Sequence, residues 1–310
     1  MEKNTVIEVE NLVKVYGNRE VLKGISFEVF QGEVFGLLGE NGAGKTTTLE
    51  IIEGLRRANS GSARVLGLDS VKEISSIKER IGVQLQASAY FEHLTLEEIL
   101  QLFGSFYHTA KDPHELLSLV NLEERGGMRV GQLSGGQKQR FSIVAALVND
   151  PDILFLDEPT TGLDPIARLN LWDLVREIEA QGKTVILTSH YLEEVEALCG
   201  RVGIIKQGEI LAMDTPANLI LQQDNPVRME FLPSKEFPAG LRERLEGMGV
   251  LKTSEERAGE YMLFVKDVIV LRTALHQLDD IELDRMAVST ANLEDVFISL
   301  TGGRISQEEA

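Results

Sequence analysis

The segment Gly39-Glu40-Asn41-Gly42-Ala43-Gly44-Lys45-Thr46 limits what this chain can fold into more than any other stretch. An apolar run at 33–38 precedes it and good helix formers from 45 to 56 follow, so the loop must join a buried strand to a helix. The glycines let successive backbone N–H groups turn toward one point. The helix that starts there adds about half a positive charge at its N-terminus. Lys45 contributes a full charge, so residues 39–46, with Thr47 beside them, are built to hold the oxygens of a phosphate chain. The Thr46 hydroxyl suits Mg²⁺. A glycine turn without a ligand would need neither the lysine nor the threonine.

Strand and helix alternate around this loop. Residues 6–13 and 21–29 alternate as strands across a turn at 16–18, the runs 153–156 and 184–188 read as buried parallel strands, and Asp164-Pro165 caps a helix over 165–180. This α/β order implies a mostly parallel sheet with antiparallel strands at its N-terminal side. Helical periodicity dominates from about 87 to 149 and predicts a helical insertion. After His190 a helix to 199, a hairpin turning at 207–208 and a short capped helix at 215–217 complete a first domain, 1–222. Asp224-Asn225-Pro226 reads as a linker to a small α+β domain, 226–310. Its last helix begins at Asn292 and carries Leu293, Val296, Phe297 and Leu300 on one face, which should pack on the small sheet.

Two further elements carry chemistry. The apolar run 153–156 ends in Asp157-Glu158, two neighbouring carboxylates that point in different directions. Asp157 suits a Mg²⁺ partner and Glu158 a base for an attacking water. Leu133-Ser134-Gly135-Gly136-Gln137 is a second glycine-rich start of a helix, again suited to an anion.

With these motifs in this order the chain resembles the ATP-binding cassette ATPases over about 6–222. Residues 133–137 look like that family's signature motif, and its other elements follow. Tyr16 resembles the aromatic residue that stacks on adenine. Gln86, with Gln84 as a near alternative, resembles the glutamine that reaches Mg²⁺ and the attacking water. Thr161-Gly162-Leu163-Asp164 resembles the loop that crosses between subunits, and His190 the histidine that touches the γ-phosphate. The resemblance implies a P-loop NTPase core with a helical subdomain, ATP and Mg²⁺ as ligands, and ATP hydrolysis. It also implies a head-to-tail dimer, homodimeric or with a paralogous subunit, in which Ser134, Gly135, Gly136, Gln137 and Asp164 of one chain complete the phosphate loop of the other. The stretch 292–302 resembles the tail of subunits from the drug-, lipid- and polysaccharide-exporter branch, which implies export and a regulatory or dimer-supporting role for 226–310.

Composition narrows the setting. No run approaches the ~18 apolar residues of a membrane-spanning helix, so the resemblance implies a separate transmembrane permease that receives the insertion near 87–94. The start of the chain lacks a signal-peptide centre, and the expected place is the cytoplasmic face of the membrane, held there by the permease. A net charge of −18 argues against direct nucleic-acid or anionic-lipid binding. Cys199 is the single cysteine and reads as a buried small side chain. The competing reading is a soluble cassette ATPase acting on a protein or nucleic-acid complex. Such proteins carry tandem cassettes or long coiled-coil or zinc-bearing insertions, and neither is seen here.

Overall fold

Two strands of twelve residues, β1 (Thr5–Tyr16) and β2 (Arg19–Phe30), open the fold as an antiparallel hairpin. The structure, a computed structural model, describes residues 4–84, 90, 91, 93–235, 240–253 and 257–301. The next strand, β3 (Val34–Leu38), is buried throughout, as its unbroken apolar run demands of a strand covered on both faces. Then comes α1 (Lys45–Ile52), shorter than the predicted 45–56 because the chain turns at Gly54, whose φ is 70°. Three elements that the sequence reading did not resolve follow: β4 (Ser60–Val65), β5 (Leu68–Asp69) and α2 (Ile74–Lys78).

The chain returns through β6 (Ile81–Gln84) and enters the helical stretch. There α3 (Leu96–Gly104) starts in a Thr95–Glu98 capping box, α4 (Pro113–Ser118) on an Asp112 cap, and α5 (Gly135–Ala145) in a Ser134–Gln137 capping box. The alternation resumes with β7 (Ile153–Asp157), α6 (Pro165–Ala180) capped by Asp164, β8 (Thr184–Ser189), α7 (Leu192–Leu198), β9 (Arg201–Lys206) and β10 (Glu209–Asp214).

Two sheets result. One has the order β2-β1-β4-β5 and is antiparallel. The other has the order β10-β9-β3-β8-β7-β6, parallel from β9 to β6 with β10 antiparallel at the edge. Leu49, Ile51 and Ile52 of α1 share one core with Ile7, Val9 and Val65 of the first sheet and Phe35, Phe155 and Ile186 of the second. Phe27 stacks on Phe35 across that seam, ring centroids 5.4 Å apart. The helix carrying Lys45 and Thr46 is thus fixed by apolar packing, which lets it present costly polar groups at one end.

The chain divides into two units, one reaching to Thr215 and the other starting at Pro216. The short helix α8 (Pro216–Leu221), expected at the end of the first domain, belongs by its packing to the second. That unit continues as β11 (Val227–Pro233), α9 (Leu241–Glu246), β12 (Val250–Thr253), β13 (Tyr261–Val265), α10 (Val268–Gln277), β14 (Leu283–Thr290) and α11 (Leu293–Thr301). Its antiparallel sheet has the order β12-β13-β11-β14, with α9 and α10 over a core of Met229, Phe231, Leu263 and Leu271. The expectation for the last helix needs correction. α11 buries Leu293, Val296 and Phe297 and packs mainly on α8, while Leu300 is 39% exposed.

Candidate functional site

β3, β8 and β7 are neighbours in the parallel sheet, so their C-terminal ends bring three loops together, as open α/β sheets do with their ligand sites. The phosphate loop leaves β3. A Cβ on Gly39 would lie 2.3 Å from the Ile205 carbonyl oxygen, and Gly44 holds φ 112° beside Val21 and Leu22, so both must be glycine. Lys45, 4% exposed, is folded back over the loop. Its Nζ donates to the carbonyls of Gly39 at 2.8 Å and Glu40 at 3.2 Å and lies 3.2 Å from Glu158 Oε1.

The two acids at the end of β7 have separate surroundings. Asp157 accepts from Thr46 Oγ1 at 3.0 Å and from Thr188 Oγ1 at 2.5 Å. The same Thr188 hydroxyl accepts the Glu158 N–H at 3.0 Å, so one β8 side chain fixes both acids. Glu158 takes a left-handed φ of 48°, uncommon for a side chain of its size and typical of functional turns. Its Oε2 meets His190 Nδ1 at 3.1 Å and accepts from Thr161 Oγ1 at 3.3 Å. The His190 bond, together with the nearby Lys45 charge, outweighs burial and pulls the Glu158 carboxyl down to about 2. Burial dominates at Asp157 and raises it. Two adjacent carboxyls pushed apart in this way can take different tasks.

A hydroxyl and a carboxylate 3.0 Å apart at the start of α1, Thr46 and Asp157, are the hard oxygen donors that Mg²⁺ takes beside phosphate oxygens. No cluster of three or more His, Cys, Asp or Glu side chains occurs among the described residues, and a Mg²⁺ carried on phosphates needs none.

The structure therefore brings together Gly39–Thr46, Asp157, Glu158 and His190, with Thr47 half-buried on the next turn position of α1. Tyr16 stands at the end of β1, 38% exposed, with Lys14 Nζ 5.0 Å and Arg56 Cζ 5.3 Å from its ring centroid. Gln86 lies outside the described residues, while Gln84 is buried on β6. Ser134, Gly135, Gly136 and Gln137 belong to none of the bonds above: Ser134 and Gln137 cap α5 reciprocally, and Ser134 and Gly135 are exposed. Asp164 is exposed too, its carboxylate taken up by the Ala167 N–H at 2.9 Å. Sequence reasoning missed Thr188 and Glu53, and it placed Thr161 only in the loop 161–164, not beside Glu158. Thr188 is a hydroxyl at the end of a predicted strand and could have been suspected on that ground. Glu53 had no local signal: it closes α1, is 4% exposed, and burial, with Asp157 and Glu50 nearby, pushes it up to about 8.

A ligand that engages Lys45 and the loop amides while its far end reaches Glu158 must be a chain of phosphates, and the class this defines is the P-loop nucleoside triphosphatases. Comparison with known proteins takes the assignment further. The ABC transporter family profile matches residues 22–161. Nod factor export ATP-binding protein I of Paraburkholderia xenovorans is 38% identical over 302 residues, 96% of this chain and 97% of the relative. Linearmycin resistance ATP-binding protein LnrL of Bacillus subtilis is 37% identical over 310 residues, 96% of this chain and 98% of the relative. Among solved structures, an ATP-binding subunit of an ABC transporter superposes with TM-score 0.64 at 31% identity, over 70% of this chain and 92% of that one. A dimeric ATP-binding cassette with ADP and phosphate after hydrolysis gives 0.61 at 27% identity, over 67% of this chain and 98% of that one. The chain belongs to the ATP-binding cassette family, as an ATP-binding and ATP-hydrolysing subunit of a transporter.

Proposed function

We propose that this subunit drives an exporter by closing on ATP with a second cassette, its own copy or a paralogue, and reopening after hydrolysis. The observation that carries this reading is the exposed start of α5: a chain with a complete phosphate loop also owns a second anion-type helix N-terminus, Ser134-Gly135-Gly136, bonded to none of the first. A two-fold arrangement puts that spare terminus, with Gln137 and Asp164, on the partner's γ-phosphate.

In each site the amides of 39–46 and Lys45 hold the phosphates, Thr47 lines the next turn, and Tyr16 offers its ring face to adenine. Thr46 and Asp157, with Gln86, would hold Mg²⁺, which when bound neutralises charge on the β- and γ-phosphates. Glu158 takes the proton of an in-line water. His190, bonded to Glu158 through Nδ1, keeps that carboxylate aimed and presents its other nitrogen to the γ-phosphate. Only the difference in ATP affinity between open and closed pairs can do work on a membrane partner.

A separate permease is read as carrying the pathway and holding the subunit at the cytoplasmic face; no helix among the described residues is long and apolar enough to cross a membrane. A cleft of 680 Å³ between the core and the helical stretch, lined by Leu55, Val83, Tyr90, Phe103 and Phe106, offers it an apolar seat beside the insertion. Phe106 is 69% exposed at this cleft. Export as the direction is supported by the names of the relatives, a Nod factor exporter subunit and a linearmycin resistance subunit. The unit from Pro216 onward is read as regulatory or dimer-supporting. The test is Glu158→Gln with MgATP: a stable dimer by light scattering with hydrolysis lost is the expected result, and a strictly monomeric or fully active variant contradicts the reading. Co-purification from membranes would identify the permease, whereas recovery of ribosomes or repair complexes would favour a soluble ATPase.

A further inference from the structure

Behind the site lies a charged side chain that none of the roles above uses. Glu194, in the first turn of α7, is fully buried. Its Oε2 accepts from Ser189 Oγ at 2.6 Å. That hydroxyl also accepts the Tyr191 N–H at 2.9 Å, so the residues on either side of His190 are tied to one knot. The Ser189 carbonyl in turn accepts the Gly39 N–H, N to O 3.4 Å, at the start of the phosphate loop.

The other carboxylate oxygen of Glu194 faces the loop after Glu158. Burial raises the carboxyl, and Ser189, Thr160, Trp172 and Arg168 counter it, which marks those four as its neighbours. Yet Glu194 Oε1, Thr160 Oγ1 and Trp172 Nε1 are all buried without a hydrogen bond. Thr160 and Trp172 lie within hydrogen-bonding reach of that carboxylate. Polar atoms held in so dry a place depend on one another, so the carboxylate is the natural tie between the loop, α6 and α7. The loop in question runs to Asp164, and its Thr161 already bonds Glu158. Arg168, one turn into α6, stacks over the Tyr191 ring at 4.4 Å.

We infer that Glu194 is a positioning residue for hydrolysis: its carboxylate joins the His190 segment to the loop 160–164, so that the histidine and the residues offered to the opposite subunit move as one. This rests on the reading of Glu158 and His190 as the hydrolytic pair. Without Glu194 the Ser189 hydroxyl can swing to the Tyr191 carbonyl, 3.3 Å away, and His190 loses its fixed flank.

The experiment uses the full chain, with steady-state and single-turnover ATP hydrolysis, and with nucleotide affinity and thermal unfolding measured in parallel. Glu194→Ala should lower kcat by about ten- to a hundredfold, the cost of a slightly misplaced catalytic group, with KM for ATP within about twofold. Glu194→Gln, which keeps an acceptor for Ser189, should recover at least about threefold over the alanine variant, and Ser189→Ala should reproduce the loss. In a His190→Ala background, Glu194→Ala should slow single-turnover hydrolysis by clearly less than it does in the parent chain, because much of its action runs through the histidine. An unchanged kcat, a loss confined to KM, a glutamine variant as slow as alanine, or losses that multiply in the His190→Ala background would each overturn the assignment. Should the alanine variant not fold, the Gln and Ser189→Ala variants carry the test alone. Failure here with Glu158→Gln still inactive removes only this inference; an active Glu158→Gln removes the reading beneath it.

Discussion

Glu158 sits between a lysine and a histidine with its backbone in a left-handed turn, and it stays there because Thr188 holds its N–H. The identities of Lys45, Asp157, Glu158 and His190 were legible in the sequence because each ends a strand or opens a helix within a fixed motif. Thr188 was not, because its importance comes from sitting opposite Asp157 across a parallel pair, and such adjacency exists only once the sheet forms. Thr188→Val keeps the shape and removes the hydroxyl. It should cost about 1–3 kcal/mol in denaturant unfolding and lower kcat about tenfold or more; an active, equally stable variant would deny Thr188 its role. Glu53 makes a different prediction. Its carboxyl is raised from 4.5 to about 8, so between those values the folded chain keeps a proton that the unfolded chain has released. Stability then falls as pH rises across that window. Glu53→Gln should therefore stabilise the protein by about 1–3 kcal/mol at pH 8 and by little at pH 5. Equal effects at the two pH values would count against the shift.

The helices tell most at their first turns. Asp164-Pro165 and the Thr95, Asp112 and Ser134 starts sit where their capping residues stand in the sequence, since a cap is a local device. The elements β4, β5 and α2 went unread because they are short and lack the unbroken apolar run that marks 153–156 and 184–188. Gln137 and Ser134 satisfy each other in α5, so the helix start holds its shape without a ligand. Ser134→Ala should cost about 1 kcal/mol as a lost cap and weaken hydrolysis moderately. Ser134→Arg should abolish hydrolysis while leaving ATP binding to the same chain intact, because in the proposed dimer the obstruction would fall on the opposite subunit's site. Loss of nucleotide binding by that variant, measured with a fluorescent ATP analogue on the monomer, would refute the division of labour.

At the scale of the whole molecule, two units with separate cores make up the chain. The parallel core and the existence of a small α+β unit were legible from alternation. The boundary was displaced, because only packing reveals that α8 lies on α11, with Leu219 3% exposed. A chain ending at Thr215 should fold cooperatively and bind ATP. One ending at Gln222 keeps α8 without its cover and should aggregate more readily, as read by light scattering; identical behaviour would favour the later boundary. Comparing dimerisation and transport between the shorter chain and the full one measures what the second unit adds. The ion pair of Lys45 with Glu158 has a wider consequence. Because one carboxylate already answers the lysine, an anion that competes for Nζ must carry more negative charge than a carboxylate, as the end of a polyphosphate does. Under the proposed mechanism that exchange of counter-ions would also turn Glu158 toward water, so that loading and arming would be one event.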